Sequence, residues 1–280
     1  MGGICQTDML KCYNVSMIIY KPDYYKEFKC IAQRCRHTCC AGWEIDVDQD
    51  SLERFKEDPE VYSHIKDGSI VLEEGDRCPF LNEDGLCKLI LKYGEDYICD
   101  ICTEHPRFYN EFEDHIDAGI GLVCEEACRI ILDKKDDFVL EPERSLPDEI
   151  QIVFDQRKPL SERLCSICSS AFDSRSRAEI LKGYEVLDPV WPQLLGKISE
   201  ASPSFQEETE CIDKNSRKLS NFCAYLMYRY PEVPSFAVHM TYLMADLMLT
   251  GSDIYEAARM FSGEIEYSDI NIEAALDTFG

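Results

Sequence analysis

The chain has 280 residues, 45% of them hydrophobic, which suits one large domain or two intimately packed ones and excludes wholesale disorder. Its 54 acidic and 29 basic residues give a formal net charge of −25, a surface that repels phosphate backbones and argues against nucleic-acid binding. No stretch reaches the roughly 18 uninterrupted apolar residues of a membrane span; the most apolar region, Val238 to Leu249, carries His239 and Asp246.

In chain order, residues 1–16 read as a polar leader, with Met17 a candidate natural start. The leader lacks a basic segment followed by a clean apolar run, so it is not a secretory signal. The expectation is a cytoplasmic, reducing compartment, where 16 cysteines remain thiols unless a metal uses them. Residues 17–132 form a cysteine-rich half of short elements and loops. Trp43–Val47 (WEIDV) alternates like a short strand. Ser51 to Phe55 predicts a short helix capped by Asp50 and stopped before Pro59. Cys78 to Leu89 (CPFLNEDGLCKL) places NEDG between two apolar arms, a hairpin signal. His115 to Leu122 (HIDAGIGL) alternates again.

Residues 133–147 are charged and turn-rich and are expected to link the halves. Residues 148–280 read as helical. One apolar stripe runs through Leu164, Ile167, Cys168, Ala171 and Phe172. Another runs through Leu219, Phe222, Cys223, Leu226 and Met227 and ends at Pro231. Ile254, Ala257, Ala258, Phe261 and Ile265 form a third, and Ile272, Ala275, Leu276 and Phe279 close the chain. The expected fold is mainly α with a small irregular α+β part: a cysteine-rich metal-binding half packed on a C-terminal helical bundle.

Twelve of the 16 cysteines fall between Cys5 and Cys128. Cys5 and Cys12 lie in the leader. Cys30, Cys35, Cys39 and Cys40 form C-x4-C-x3-C-C, Cys78 and Cys87 bracket the expected hairpin, Cys99 and Cys102 form C-x2-C, and Cys124 and Cys128 form C-x3-C. Closely spaced thiols on turns reach a common centre at little cost in loop entropy. Soft thiolates select zinc or iron–sulfur clusters over hard ions. Cys165-x2-Cys168 resembles another such pair, but Cys168 lies on a helical stripe and reads as core. Cys211 and Cys223 are isolated and read as structural.

These motifs resemble an identifiable family. Cys30 to Asp48 (CIAQRCRHTCCAGWEIDVD) is similar to the opening motif of the flagellin lysine-N-methylases of the FliB type, and of the broader group of cysteine-rich zinc- or iron-chelating domains. CPFLNEDGLCKL resembles the second motif, Cys102-x3-Pro106-Arg107 a C-x3-P-R segment, and Leu122–Leu132 (LVCEEACRIIL) the next cysteine-bearing segment. Trp191, the run Tyr225–Tyr230 and the tail Glu264–Leu276 are similar to later family segments. The resemblance covers about Met17 to Gly280. It implies S-adenosylmethionine-dependent methylation of flagellin lysines and a [4Fe–4S] cluster, with zinc as the alternative metal. Carried onto matching positions, the implied ligands are Cys30, Cys35, Cys39, Cys40, Cys78, Cys87, Cys102 and Cys124. Cys99 and Cys128 belong to pairs here but not to the family pattern.

The residues themselves set limits. No G-x-G-x-x-G follows a strand, so an ordinary Rossmann methyltransferase is unsupported. Nor is C-x4-C-x3-C-C the C-x3-C-x2-C of radical enzymes using the same cofactor. Arg107 could clamp the cofactor's carboxylate or form a structural ion pair. Trp43 could stack on adenine or shield the site as a core aromatic. His105 could ligate metal or simply pack. Asp46 and Asp48 could accept a lysine proton or face solvent. The leading reading is a protein-lysine N-methyltransferase. The other is a non-catalytic zinc- or iron-chelating module, for which about the first 130 residues would suffice.

Overall fold

A computed structural model describes residues 17–42, 45–169 and 172–280; the readings that concern Cys5, Cys12, Trp43 and Ala171 lie outside the described residues. The chain divides into two compact units. One is built on Lys29–Phe108, the other on Ile19–Phe28, Tyr109–Phe112 and Ile116–Gly280. The division runs through residues 108–116, upstream of the charged 133–147 stretch.

Strand β1 (Ile18–Pro22) opens the described chain. In the cysteine-rich unit, helix α1 (Gln49–Lys56) is capped by Asp48, whose carboxylate accepts the Ser51 N–H at 2.8 Å. The cap therefore stands two residues before the expected Asp50. Pro59 does not merely stop a helix. It starts the short α2 (Pro59–Tyr62), capped by Asp58. Strands β2 (Ile65–Lys66) and β3 (Ser69–Ile70) pair antiparallel across Asp67 and Gly68. Both turn residues have positive φ, 53° and 90°, which suits Asp-Gly.

The expected strand at residues 43–47 is represented by Ile45 to Val47 lying along this hairpin. The Ile70 N–H donates to the Ile45 carbonyl at 2.9 Å, and the Val47 N–H to the Gly68 carbonyl at 2.8 Å. The expected hairpin at residues 78–89 is a tight turn closed by a single Leu81–Cys87 bridge. Asn82 holds the turn through Leu86, and helix α3 (Lys88–Tyr93) then replaces a second strand. Helix α4 (Asp100–Glu104) follows. The core of this unit joins Ile45, Phe55, Val61, Ile70, Phe80, Leu81 and Leu89 to buried Cys78 and Cys99.

The other unit carries a small sheet of order β4-β5-β1-β6, with β4 at Arg107–Glu111, β5 at His115–Ile120 and β6 at Leu140–Glu141. β1 and β6 are antiparallel, with Lys21 opposite Glu141. Helices α5 (Glu125–Asp133), α6 (Asp148–Phe154), α7 (Leu160–Ile167), α8 (Ser174–Leu181), α9 (Trp191–Ala201) and α10 (Phe205–Lys214) lead to the central pair α11 (Ser216–Arg229) and α12 (Pro234–Leu249). α11 packs on α5, α6 and α12, and α12 also packs on α10. Pro231 ends one helix and Pro234 begins the next.

The stripe expected to reach Phe172 is cut short. α7 ends at Ile167, and Cys168 is extended at φ −132° and ψ 115°. Phe236 to Leu247 of α12 are all buried, so the most apolar region is a core helix. Among the described residues no helix is long and apolar enough to cross a membrane. α13 (Ile254–Phe261) runs into a π-helical turn, Ser262–Glu266, and α14 (Asp269–Phe279) ends the chain.

Candidate metal centre

Backbone pairing assembles the site first. The Cys78 N–H donates to the Cys40 carbonyl and the Gly42 N–H to the Asp76 carbonyl, both at 2.9 Å, so two remote motifs lie side by side. The tight turn then brings Cys87 back beside Leu81. The third pair is positioned by Asp48 and Arg54. While one oxygen of Asp48 caps α1, the other accepts the Asp100 N–H at 2.9 Å, at the start of α4. Arg54 donates to the Tyr97 and Ile98 carbonyls, both at 3.2 Å, and fixes the approach to Cys99. Cys99 and Cys102, one turn apart, have their sulfurs 3.3 Å from each other.

Cys40, Cys78, Cys87, Cys99 and Cys102 thus gather on one core and influence one another's ionisation. Hydrogen bonding from Cys39 pulls the Cys40 thiol down to about 6, against its burial, and Thr38 and the Arg77 guanidinium add to the effect. Burial pushes Cys78 up to about 11 and raises Cys87. Cys99 is lowered by its bond with Cys102, while Cys102 is raised strongly by Cys99 and by burial. Without a cation, several of these thiols hold protons. A metal supplies the charge that releases them.

The remaining expected ligands have other surroundings. Cys30 accepts the Ala32 N–H at 3.4 Å, and the Cys35 thiol donates to the His37 carbonyl at 3.3 Å. Cys39 is exposed beside Cys40. Cys124 belongs to the other unit, where it stands at the N-cap of α5 and acts electrostatically on Tyr267. Cys128 is fully buried, its thiol 3.6 Å from the Tyr255 carbonyl. Arg107 donates to the Thr103 carbonyl at 3.1 Å, which keeps its guanidinium at the end of α4 near Cys102. Burial lowers His105 to about 4, so it is neutral at pH 7. Asp46 accepts from the Ser69 hydroxyl at 2.8 Å on the surface.

Sequence reasoning missed three members of the arrangement. Cys99 stood outside the implied ligand set, although its C-x2-C spacing was visible. Arg77, which donates to the Leu81 and Asn82 carbonyls, left no motif, nor did the bridging role of Asp48.

The donor set is soft and thiol-rich, which fits iron–sulfur or zinc chemistry. Among the described residues, no three His, Cys, Asp or Glu side chains are arranged to hold a single metal ion. A four-iron cluster takes one thiolate per iron, so its ligands need not meet at one point.

Comparison with characterised proteins gives two kinds of relative. The Lysine-N-methylase of Salmonella typhimurium is 24% identical over 137 residues, covering 44% of this chain and 34% of that protein. The Lysine-N-methylase of Salmonella choleraesuis matches to the same extent. The Flagellar biosynthetic protein FliU of Salmonella muenchen is 23% identical over 142 residues, covering 45% of this chain and 84% of that protein. The match spans about a third of the length of the methylases. No family model matches the chain. No solved structure matches it.

Proposed function

From the premise that this chain is related to the FliB-type lysine-N-methylases, we propose that it transfers a methyl group from S-adenosylmethionine to lysine side chains of flagellin, using a thiolate-held iron–sulfur cluster. The observation that carries this reading is the gathering of Cys40, Cys78, Cys87, Cys99 and Cys102 from three separate motifs onto one core. Three of these five would hold the cluster, one thiolate per iron, leaving its fourth iron open. When bound, it supplies an iron able to chelate the amino and carboxyl groups of the cofactor. Arg107 is the chain's candidate for orienting that carboxylate through paired N–H donors. Arg77 places a positive charge near Cys40 and favours the thiolate.

In the transfer itself, the lysine nitrogen forms the new N–C bond as the sulfonium S–C bond breaks, and the lysine gives up a proton. With a reference pKa near 10.4, the lysine needs a desolvated position or a base to act as nucleophile.

The test is transfer of a labelled methyl group to flagellin by anaerobically purified, cluster-loaded protein. Label should appear on flagellin lysines, and Cys102→Ser should abolish it. Arg107→Ala should chiefly raise the KM for the cofactor. Loaded protein that neither binds nor consumes S-adenosylmethionine would overturn the enzyme reading and leave a chelating module.

A further inference from the structure

Arg163, on α7 in the helical unit, is only 5% exposed. Its guanidinium donates to the backbone carbonyls of Pro159, at 3.4 Å, and of Val153. Among the described residues no carboxylate forms an ion pair with it. Burying a charge against neutral partners is costly, and such charges are normally paired. Burial accordingly pulls its pKa below the usual arginine value. Asp155 and Asp213 oppose this and Arg217 adds to it.

Arg163 opens onto a cavity of about 330 Å³, whose polar lining also includes Gln156, Arg157, Lys158, Asp213 and Ser216. A smaller pocket of about 70 Å³ shares Gln156, Arg163 and Ser216 and adds Arg217. Three cationic side chains, Arg157, Lys158 and Arg163, therefore line the larger cavity, and Arg217 lines the smaller one, on a chain of net charge −25.

The nearby carboxylates are already engaged. Asp155 takes both Arg157 bonds, at 2.7 and 2.6 Å. Asp213 accepts the Ser161 N–H at 2.9 Å and its hydroxyl at 2.8 Å. Asp137 pairs with Arg217 at 2.7 Å. Lys158 is exposed and has no ion pair among the described residues.

We propose that this cavity is a binding site for a small oxyanion ligand, a phosphoryl or carboxylate compound, held by Arg163 from below and Lys158 at the rim. The planar arginine fork and the lysine point charge suit phosphoryl oxygens, with the Ser216 hydroxyl and Gln156 amide as neutral donors. The volume lies at the lower end of small-ligand pockets, roughly 300–1,000 Å³. The same charge disfavours S-adenosylmethionine, whose sulfonium and ammonium are cations. The site is therefore independent of the proposed methyl transfer.

The experiment is calorimetric titration of the full-length protein at low salt with inorganic phosphate, pyrophosphate and citrate. Saturable binding is expected, tightest for pyrophosphate. Equal or tighter binding of citrate would assign the carboxylate source of the same chemistry. Lys158→Gln removes an exposed side chain without touching the core and should weaken binding about tenfold, the scale of one lost charge-assisted hydrogen bond. Arg163→Lys should weaken it further. Arg175→Gln removes an exposed arginine outside the cavity lining and should leave affinity unchanged. Absence of saturable binding overturns the proposal. So does a Lys158→Gln protein that binds like the wild type, whatever the fold of the Arg163 variant.

Discussion

Cys99 and Cys128 are both fully buried thiols in short-spaced pairs, yet their neighbours differ. Cys99 lies 3.3 Å from Cys102 and on the core shared with Cys40, Cys78 and Cys87, whereas the Cys128 sulfur faces the Tyr255 carbonyl at 3.6 Å. Cys99→Ser should therefore sharply lower the iron and acid-labile sulfide of anaerobically purified protein, while Cys128→Ser should leave both unchanged. Equal loss from the two variants would overturn the grouping of five thiols. A second residue-scale prediction concerns Arg177, buried between Asp246, at 2.9 Å, and Glu208. Burial, together with the Asp246 charge, pushes Glu208 up to about 8 against the pull of Arg177, and burial raises Asp246 too. A carboxyl with a raised folded pKa holds its proton more tightly when folded. Its stabilising contribution is complete below the unfolded carboxylate range, near 4.3, and is lost as pH rises through about 8. Thermal melts should show Tm falling over that window, and Glu208→Gln, which cannot ionise, should flatten the slope. An unchanged slope in the variant would show that the proton resides elsewhere.

Among the elements, α1 and α4 are joined by one carboxylate. Burial would raise the Asp48 pKa, but the N–H groups of Asp100 and Ser51 outweigh it and hold the carboxylate ionised. Asp48→Ala removes a cap worth about 0.5–2 kcal/mol and strands the Asp100 N–H as well. Denaturant titration should therefore show destabilisation at or above the top of that range, together with poorer metal retention. Asp48→Asn keeps an acceptor and should recover most of both. This dual role also marks where the sequence stops being legible. A local window containing Asp48 and Asp50 offers two equivalent caps, and only the Asp100 N–H, 52 residues away, selects the first. The β2–β3 hairpin escaped because its strands are two residues long, too short to show alternation, although Asp67-Gly68 carried the turn chemistry. α12 has no polar face and hence no stripe, so composition alone announced it. The stripes at α13 and α14 were readable because each of these helices keeps a less buried side, whereas α11 is buried all round from Leu219 to Tyr228. The cysteine motifs were readable by spacing, but their grouping depends on the Cys40–Cys78 backbone pairing, which spacing does not encode.

On the scale of the whole molecule, the two units bury very different cores, and metal removal should separate them. The helical unit is built from large apolar side chains such as Trp191, Phe222, Phe236 and Phe261, all essentially inaccessible, with Phe222 and Phe236 ring centroids 5.5 and 6.4 Å from Phe261. None of the five gathered cysteines belongs to it. The cysteine-rich unit has a small core in which Cys78 and Cys99 are themselves buried members, and its connections are turns and very short elements. In the proposed cluster, thiolates bound to metal would replace several protonated thiols there. Structural metal sites contribute on the order of 10–16 kcal/mol in small domains. Anaerobic chelation or oxidative loss of the metal should therefore leave most of the helical far-UV signal, since the long helices lie in the other unit. Limited proteolysis followed by mass spectrometry should place the new cleavages within residues 29–108. The loaded protein should resist cleavage there. If metal loss instead melts the helical signal with the same midpoint, or if apo protein is cut first in α11 or α12, the cysteine core is not the part that the metal stabilises.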